Sequence, residues 1–408
     1  VNALDELLGR LFTEPAPREV RFRARLVLLD TLGCALAGLE SPKLQRMSAL
    51  LAGTDAAALL ATAACWDEAC EGLARAHGRP GVPVVAACVG YALQHDLRLE
   101  ALLDALIVGY EVGGRMGEFM RMRPGMHVDA SWPALGVAAA VVRLAGGQAS
   151  IARSAVEIVA SQIPFSLYLP IAQGADGRNT YLGHAAWLGS YAALAALAGC
   201  DAPRGAPEEF ARLALGIGHS EPWPAGYVLL ESYLKPFAAV RHVHYGALAA
   251  LRLRARIADT SAIHGIELAV YPEALKYCGN VAPRTPLQAQ FSLSFGVAAA
   301  LRFGRLDAEV YRPPAFEDAE LRRLERLVKC RAEAFAGREA ALELRLADGR
   351  FEERVSSIPM SADDCRAKFV RQATPRTGSV VAQAIAEALL HGPEDLALKA
   401  TLKETIHP

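Results

Sequence analysis

The sequence predicts a mainly α protein, a large all-helical domain joined to a smaller α+β domain. Three observations carry this expectation. Through the first 258 residues, apolar residues recur at helical spacing in one segment after another. Near residue 259 the texture changes to strand-like text. Further on, Asp348-Gly349 sits between two alternating runs, a strong short hairpin signal. The expected division is therefore residues 1–258 with 376–408 in the helical domain, and 259–375 in the α+β domain.

The elements follow in order. RFRARLVLLDTLGCALAGL (21–39) and LEALLDALIVGYEVGGRMGEFM (99–120) carry long helical stripes. Segments 134–146, 184–199 and 245–257 are similar and rich in Ala and Gly. Such small residues let helix backbones approach closely, which predicts deep packing within a bundle. IHGIELAV (263–270) has strand character, and a second strand is expected near 327–333. LELRLADGRFEERV (342–355) alternates apolar and charged residues as a half-buried hairpin does. Helices are expected at 291–304 and 318–327 between these strands. TGSVVAQAIAEALLH (377–391) is helical and stops at Gly392-Pro393. This last helix is expected to return to the helical domain.

Composition narrows the function. Apolar residues make up 52% of 408, enough for a sizeable core, and the net charge of -1 leaves no electrostatic footprint for nucleic acid or an anionic membrane. The eight cysteines form no CxxC pair and read as buried free thiols in a reducing compartment. The first residues lack the basic and apolar blocks of a signal peptide. Residues 182–199 are apolar but include His184, which favours a buried packing helix over a span. A soluble, cytoplasmic protein without nucleic-acid or membrane partners is expected.

Motifs for phosphate and metal chemistry are missing. The sequence holds no GxxxxGK[ST], no GxGxxG after a strand, no HExxH and no GxSxG. His242 and His244 are two apart and diverge on a helix, so no metal site is expected. Polar residues instead stand in apolar text at four places. WDEACEGLARAHGRPGVPVV (66–85) holds Asp67, Glu71 and His77, and GMHVDASWPALGVAAAVVRLAG holds His127. DGRNTYLGHAA (176–186) holds Arg178, Tyr181 and His184. YLKPFAAVRHVHYGALAAL (233–251) holds Lys235, Arg241, His242 and His244. Each has a bland reading as an exposed face, a snorkelling cation or a satisfied core histidine. Together, histidines and cations recurring at the starts of buried helices point to a shared pocket.

Here the residues resemble a known family. LLDTLGCALAG (28–38), DALIVGYEVGGRMG (104–117), the His127 segment, LKPFAAVRHVHYGALAAL and TPLQAQFSLSFGVAAAL are similar, in order, to segments of the MmgE/PrpD family. That family includes 2-methylcitrate dehydratase, cis-aconitate decarboxylase and iminodisuccinate epimerase. The resemblance implies a helical domain and a smaller α+β domain with the pocket between them, and a homodimer. It places His127 on the family's active-site histidine, matches Lys235 to its lysine, and matches Asp67 and His77 to pocket positions by spacing. The chain also departs from the pattern. Arg178 stands for a lysine, Tyr181 for a histidine and Phe295 for a tyrosine, while Glu71 occupies a threonine position of the decarboxylase-like pattern.

These residue types suit acid–base work on a small di- or tricarboxylate. Arg178, Lys235 and Arg241 can offset substrate carboxylates and acidify an α-proton, with Glu71, Tyr181 and His244 as further binding candidates. His127 or His77 titrates near working pH and can move the proton, with Asp67 orienting a histidine. The scheme needs no cofactor and no metal. The leading expectation is a cofactor-independent hydro-lyase. An epimerase that removes and returns an α-proton, a decarboxylase, and a non-catalytic family member remain as rivals.

Overall fold

The computed structural model describes residues 2–51, 55–218, 223, 225–347 and 349–406. Its helices are α1 (Asn2–Thr13), α2 (Arg18–Leu39), α3 (Pro42–Leu51), α4 (Ala56–Cys65), α5 (Gly81–Gln94), α6 (Leu99–Phe119), α7 (Pro133–Leu144), α8 (Ala149–Ala160), α9 (Leu169–Gln173) and α10 (Tyr181–Leu197). They continue as α11 (Ala206–Phe210), α12 (Arg241–Arg254), α13 (Pro272–Cys278), α14 (Pro286–Gln290), α15 (Leu293–Phe303), α16 (Ala319–Leu327), α17 (Ala362–Thr377), α18 (Ser379–His391) and α19 (Leu398–Ile406). The strands are β1 (Gly72–Leu73), β2 (Ser232–Tyr233), β3 (Gly265–Val270), β4 (Val328–Ala332), β5 (Ala340–Leu346) and β6 (Gly349–Val355). The protein is mainly α, as its sequence predicts.

Helices α2, α4, α5, α6, α7 and α10 pack on one another as the helical core. Local chemistry starts and stops them. Asp55 caps α4 by accepting from the Ala58 N–H at 3.0 Å. Pro133 opens α7, where its missing N–H costs nothing. The small residues of α6 and α7 allow their close crossing. A Cβ on Gly136 would lie 2.3 Å from the Gly109 carbonyl oxygen, so any side chain there would drive the two helices apart. Among the described residues no helix is long and apolar enough to cross a membrane. Six of the eight cysteines are buried, and all eight are free.

The larger sheet has the order β4-β3-β5-β6, with β3 parallel to β4 and antiparallel to β5. Ala340, Leu342 and Leu344 of β5 face inward, and the residues between them are only partly covered. The hairpin joins β5 to β6 with Leu346 opposite Gly349. Asp348, the first residue of the expected turn pair, lies outside the described residues. Helix α12 packs on β5, β6 and α15, and α15 in turn packs on β4.

After the sheet the chain returns to the helical core through α17, which packs on α2. Ser361 and Asp364 form a capping box at its start: the Asp364 N–H donates to Ser361 Oγ at 3.1 Å, and the Ser361 N–H to Asp364 Oδ2 at 2.9 Å. Lys368 of α17 is buried and paired with Asp30 of α2 at 2.6 Å. A short second sheet pairs β1 with β2. Although only two residues long, it ties the loop after α4 to the loop before α12.

Candidate functional site

The β1–β2 pairing decides where Lys235 goes. Lys235 lies two residues beyond β2, and its Nζ donates to Glu68 Oε1 at 2.7 Å and to the Glu68 carbonyl at 3.0 Å. Glu68 sits in the turn after α4 with φ of 54°, a left-handed conformation that a glutamate rarely adopts. Such strain persists only where the surroundings hold it, and here three cations do. Glu68 Oε2 accepts from Arg79 Nη1 at 2.8 Å and from Arg178 Nη2 at 2.7 Å. Arg79 also pairs with Asp129, which lies 3.7 Å from Arg178.

His127 closes the cluster. Gly125, at φ of 88°, turns the chain before it. The His127 N–H donates to the Ser166 carbonyl at 2.8 Å, and Ser166 Oγ donates to the His127 carbonyl at 2.5 Å. The backbone under the imidazole is thus held on both sides. The Asp129 N–H donates to His127 Nδ1 at 3.2 Å, which assigns the proton of the neutral ring to Nε2. Asp129 Oδ2 lies 3.7 Å from the same nitrogen, ready to accept from the other tautomer. The ring lies 6.3 Å from that of Tyr168 and 5.9 Å from that of Tyr181.

The cluster is buried and charged. All five charged side chains are at most 6% exposed, and His127 is 13% exposed. Three cations face two carboxylates, which leaves one positive charge. Burial pushes His127 down to about 4, and Arg178 and Arg79 act in the same direction against Asp129 and Glu68. Burial alone would raise Glu68, but Arg178, Arg79 and Lys235 together hold it well below the usual range. Burial opposes the charge of Lys235, yet Glu68, Cys70 and Tyr233 together outweigh it and hold the amine above its ordinary value.

Three of the residues singled out in the sequence therefore meet, namely His127, Arg178 and Lys235, and the aromatic ring of Tyr181 stands nearby. The others do not join the charged cluster, although Arg241 borders it through Tyr233, whose hydroxyl feels both Lys235 and Arg241. Asp67 turns into a separate cavity, where burial lifts its carboxyl to about 6, with Glu309 and Asp307 adding to the shift and Arg312 opposing it. His77 is exposed, at φ of 54°, and Arg79 two residues on takes the interior place. Arg241 lies over the Tyr233 ring, 3.9 Å from its centre. His244 is a satisfied core histidine: Nε2 donates to the Ala239 carbonyl at 2.8 Å, and burial drives its pKa to about 3. His242 places Nδ1 2.5 Å from the Tyr271 hydroxyl, and burial pushes it to about 4. Phe295 is buried and stacks on Tyr311 at 5.4 Å.

Glu71 anchors the start of α5. It accepts from the Gly81 N–H at 2.9 Å and from the Tyr110 hydroxyl at 3.0 Å. Burial raises it from 4.5 to about 7. Between those values the folded protein keeps a proton that the unfolded chain has released, so stability falls as pH rises through that window. Glu71→Gln preserves both contacts, since its amide can donate to Tyr110. It is expected to stabilise the protein at pH 8 by up to about 3 kcal/mol and hardly at all at pH 5. Chemical denaturation at the two pH values checks this, and equal effects at both would show that Glu71 is ionised throughout.

Glu68, Arg79 and Asp129 escaped the sequence reading, though each is within two positions of a residue it named. Among the described residues, no three His, Cys, Asp or Glu side chains converge as a metal's ligands.

The comparisons agree with this architecture. Residues 4–215 match the MmgE/PrpD N-terminal domain, and residues 237–391 match the MmgE/PrpD C-terminal domain. No curated protein matches the sequence.

Proposed function

The chain belongs to the MmgE/PrpD family, and from that premise we propose that it is a cofactor-independent acid–base hydro-lyase acting on a small hydroxy dicarboxylate. The family is generally enzymatic. The observation that carries the reading is a neutral, backbone-pinned His127 against Asp129 inside a buried cluster with one uncompensated positive charge. One substrate carboxylate offsets that charge. Arg241 forms no ion pair among the described residues and offers a place for a second. Glu68 already occupies the cations that a third carboxylate would need.

An anionic substrate also corrects the base. Negative charge brought beside His127 raises its pKa from about 4 toward neutrality, where proton transfer is most effective. Once the ring passes from its Nε2–H tautomer to the one whose Nδ1–H faces Asp129 Oδ2, 3.7 Å away, Nε2 is free to take the α-proton. The electron pair of that C–H bond forms the double bond, and the β-hydroxyl leaves as water on taking a proton from the imidazolium that His127 has become or from the Lys235 ammonium. The developing enolate is stabilised by fixed cations that need no reorganisation.

The test is a panel of hydroxy mono-, di- and tricarboxylic acids in heavy water, followed by proton NMR. A hydroxy dicarboxylate is expected to lose its α-proton signal as alkene signals grow. Glu68→Gln is expected to move the preference toward the tricarboxylate, by roughly tenfold in relative kcat/KM. Exchange without net loss of water favours the epimerase, and release of carbon dioxide favours the decarboxylase. If no acid exchanges, the cluster is only structural and the enzymatic reading fails.

A further inference from the structure

The turn that sends Glu68 into the cluster sends Asp67 into a cavity of about 740 Å3 that shares none of the cluster's residues. Its size suits a small molecule. Its lining contains three buried polar atoms without a hydrogen-bond partner among the described residues: Asp67 Oδ2, Gln290 Oε1 and the Tyr311 hydroxyl. Gln290 and Tyr311 are each 3% exposed. Buried oxygens are rarely left unpaired, and three in one cavity need a common explanation.

Their chemistry says what is missing. Gln290 Nε2 donates to the Trp66 carbonyl at 3.4 Å, so the amide is oriented with its oxygen free. Asp67 accepts when ionised, and Arg312 approaches Oδ2 only to 3.9 Å. The tyrosine hydroxyl accepts as readily as it donates. A site with this bias calls for a group rich in N–H donors. A primary ammonium carries three, one for each oxygen. Trp66 lines the same cavity, and an indole ring attracts a cation.

The rest of the lining favours an amine that also carries an anionic group. Lys43, Arg46 and Arg312 also line the cavity, as do Asp176 and Glu40, the latter paired with Arg376. Lys43 is paired with Asp176, and Arg312 with Glu309. Arg46 forms no ion pair among the described residues and is exposed. With Lys43 and Arg312 already paired, Arg46 is the cation left to accept a carboxylate carried beside the amine.

We propose that this cavity binds a free amino acid, with the ammonium among Asp67, Gln290 and Tyr311 and the carboxylate at Arg46. The site is separate from the His127 cluster and stands whether or not that cluster is catalytic.

Calorimetric titration of the full chain tests it. The probes are glycine, alanine, aspartate, glutamate and lysine. Each is compared with its N-acetyl derivative, and alanine also with propionate and ethylamine. At least one amino acid is expected to bind, with acetylation or loss of either charged group weakening it by roughly tenfold or more. Tyr311→Phe and Gln290→Leu each remove one oxygen and little bulk, and are expected to weaken binding by a similar factor. Equal binding of the acetylated or des-amino forms would overturn the proposal. So would unchanged affinity in both variants, binding of sodium or magnesium in place of any amino acid, or no heat from any amino acid at millimolar concentration.

Discussion

Replacing Arg79 by methionine is expected to cost about 3–5 kcal/mol of stability, because it strips a buried pair of carboxylates of their shared cation. Arg79 Nη1 lies 2.8 Å from Glu68, and Nη2 pairs with Asp129. Without it, among the described residues, Asp129 keeps Arg178 as its one charged partner, at 3.7 Å, beside the neutral His127, and its Oδ1 already lacks a hydrogen bond. Methionine roughly fills the volume, so the loss is electrostatic rather than a cavity. The net charge of the cluster falls to zero, and acid binding should fall with it. Arg79→Lys keeps the charge but loses the two-pronged guanidinium, and an intermediate loss is expected. Arg79→Met combined with Asp129→Leu should be more stable than Arg79→Met alone, since no carboxylate is then left without its partner. Urea denaturation of the three variants decides the matter. A loss below about 1 kcal/mol for Arg79→Met would mean that these charges are solvent-screened and not buried as the structure has them.

The same cluster shows what a sequence can and cannot disclose. The helices and the hairpin follow from periodicity: Leu342 and Leu344 alternate with Glu343 and Arg345, and the inward set is the apolar one. Periodicity does not disclose helix α17, because ADDCRAKFVRQATPRT has a narrow apolar stripe and a proline near its end. Its Ser361–Asp364 capping box was readable all the same. At the site, the right segments were legible but not the right members. Asp67 and His77 stand beside Glu68 and Arg79, and the latter pair faces inward. Glu68 and His77 both adopt left-handed backbone conformations, which reverse the side-chain direction that spacing predicts. Nothing in the residue types announces those dihedrals, because non-glycine residues take them only when tertiary contacts impose them. His127, Arg178 and Lys235 were legible because a charge in long apolar text must be paired or used.

His127→Asn separates the two fates of such a residue. Asparagine can place its Oδ1 near the position of Nδ1, and so go on accepting from the Asp129 N–H that now lies 3.2 Å away. The backbone bonds to Ser166 do not involve the ring and remain. Stability should therefore change by less than about 1 kcal/mol. What disappears is Nε2, the nitrogen that exchanges protons with a bound acid. Proton exchange into substrate from heavy water is expected to fall by roughly 10²-fold or more, with little change in the affinity for the acid. His127→Gln should do worse in folding, because its longer arm no longer meets the Asp129 N–H. If His127 were only a plug beneath Tyr168 and Tyr181, the asparagine variant would melt earlier and its residual activity would track the folded fraction. Near-native exchange in a well-folded His127→Asn protein would remove His127 from the chemistry altogether. His242 would then be the next base to test, since it too is held neutral by burial, with Nδ1 2.5 Å from the Tyr271 hydroxyl.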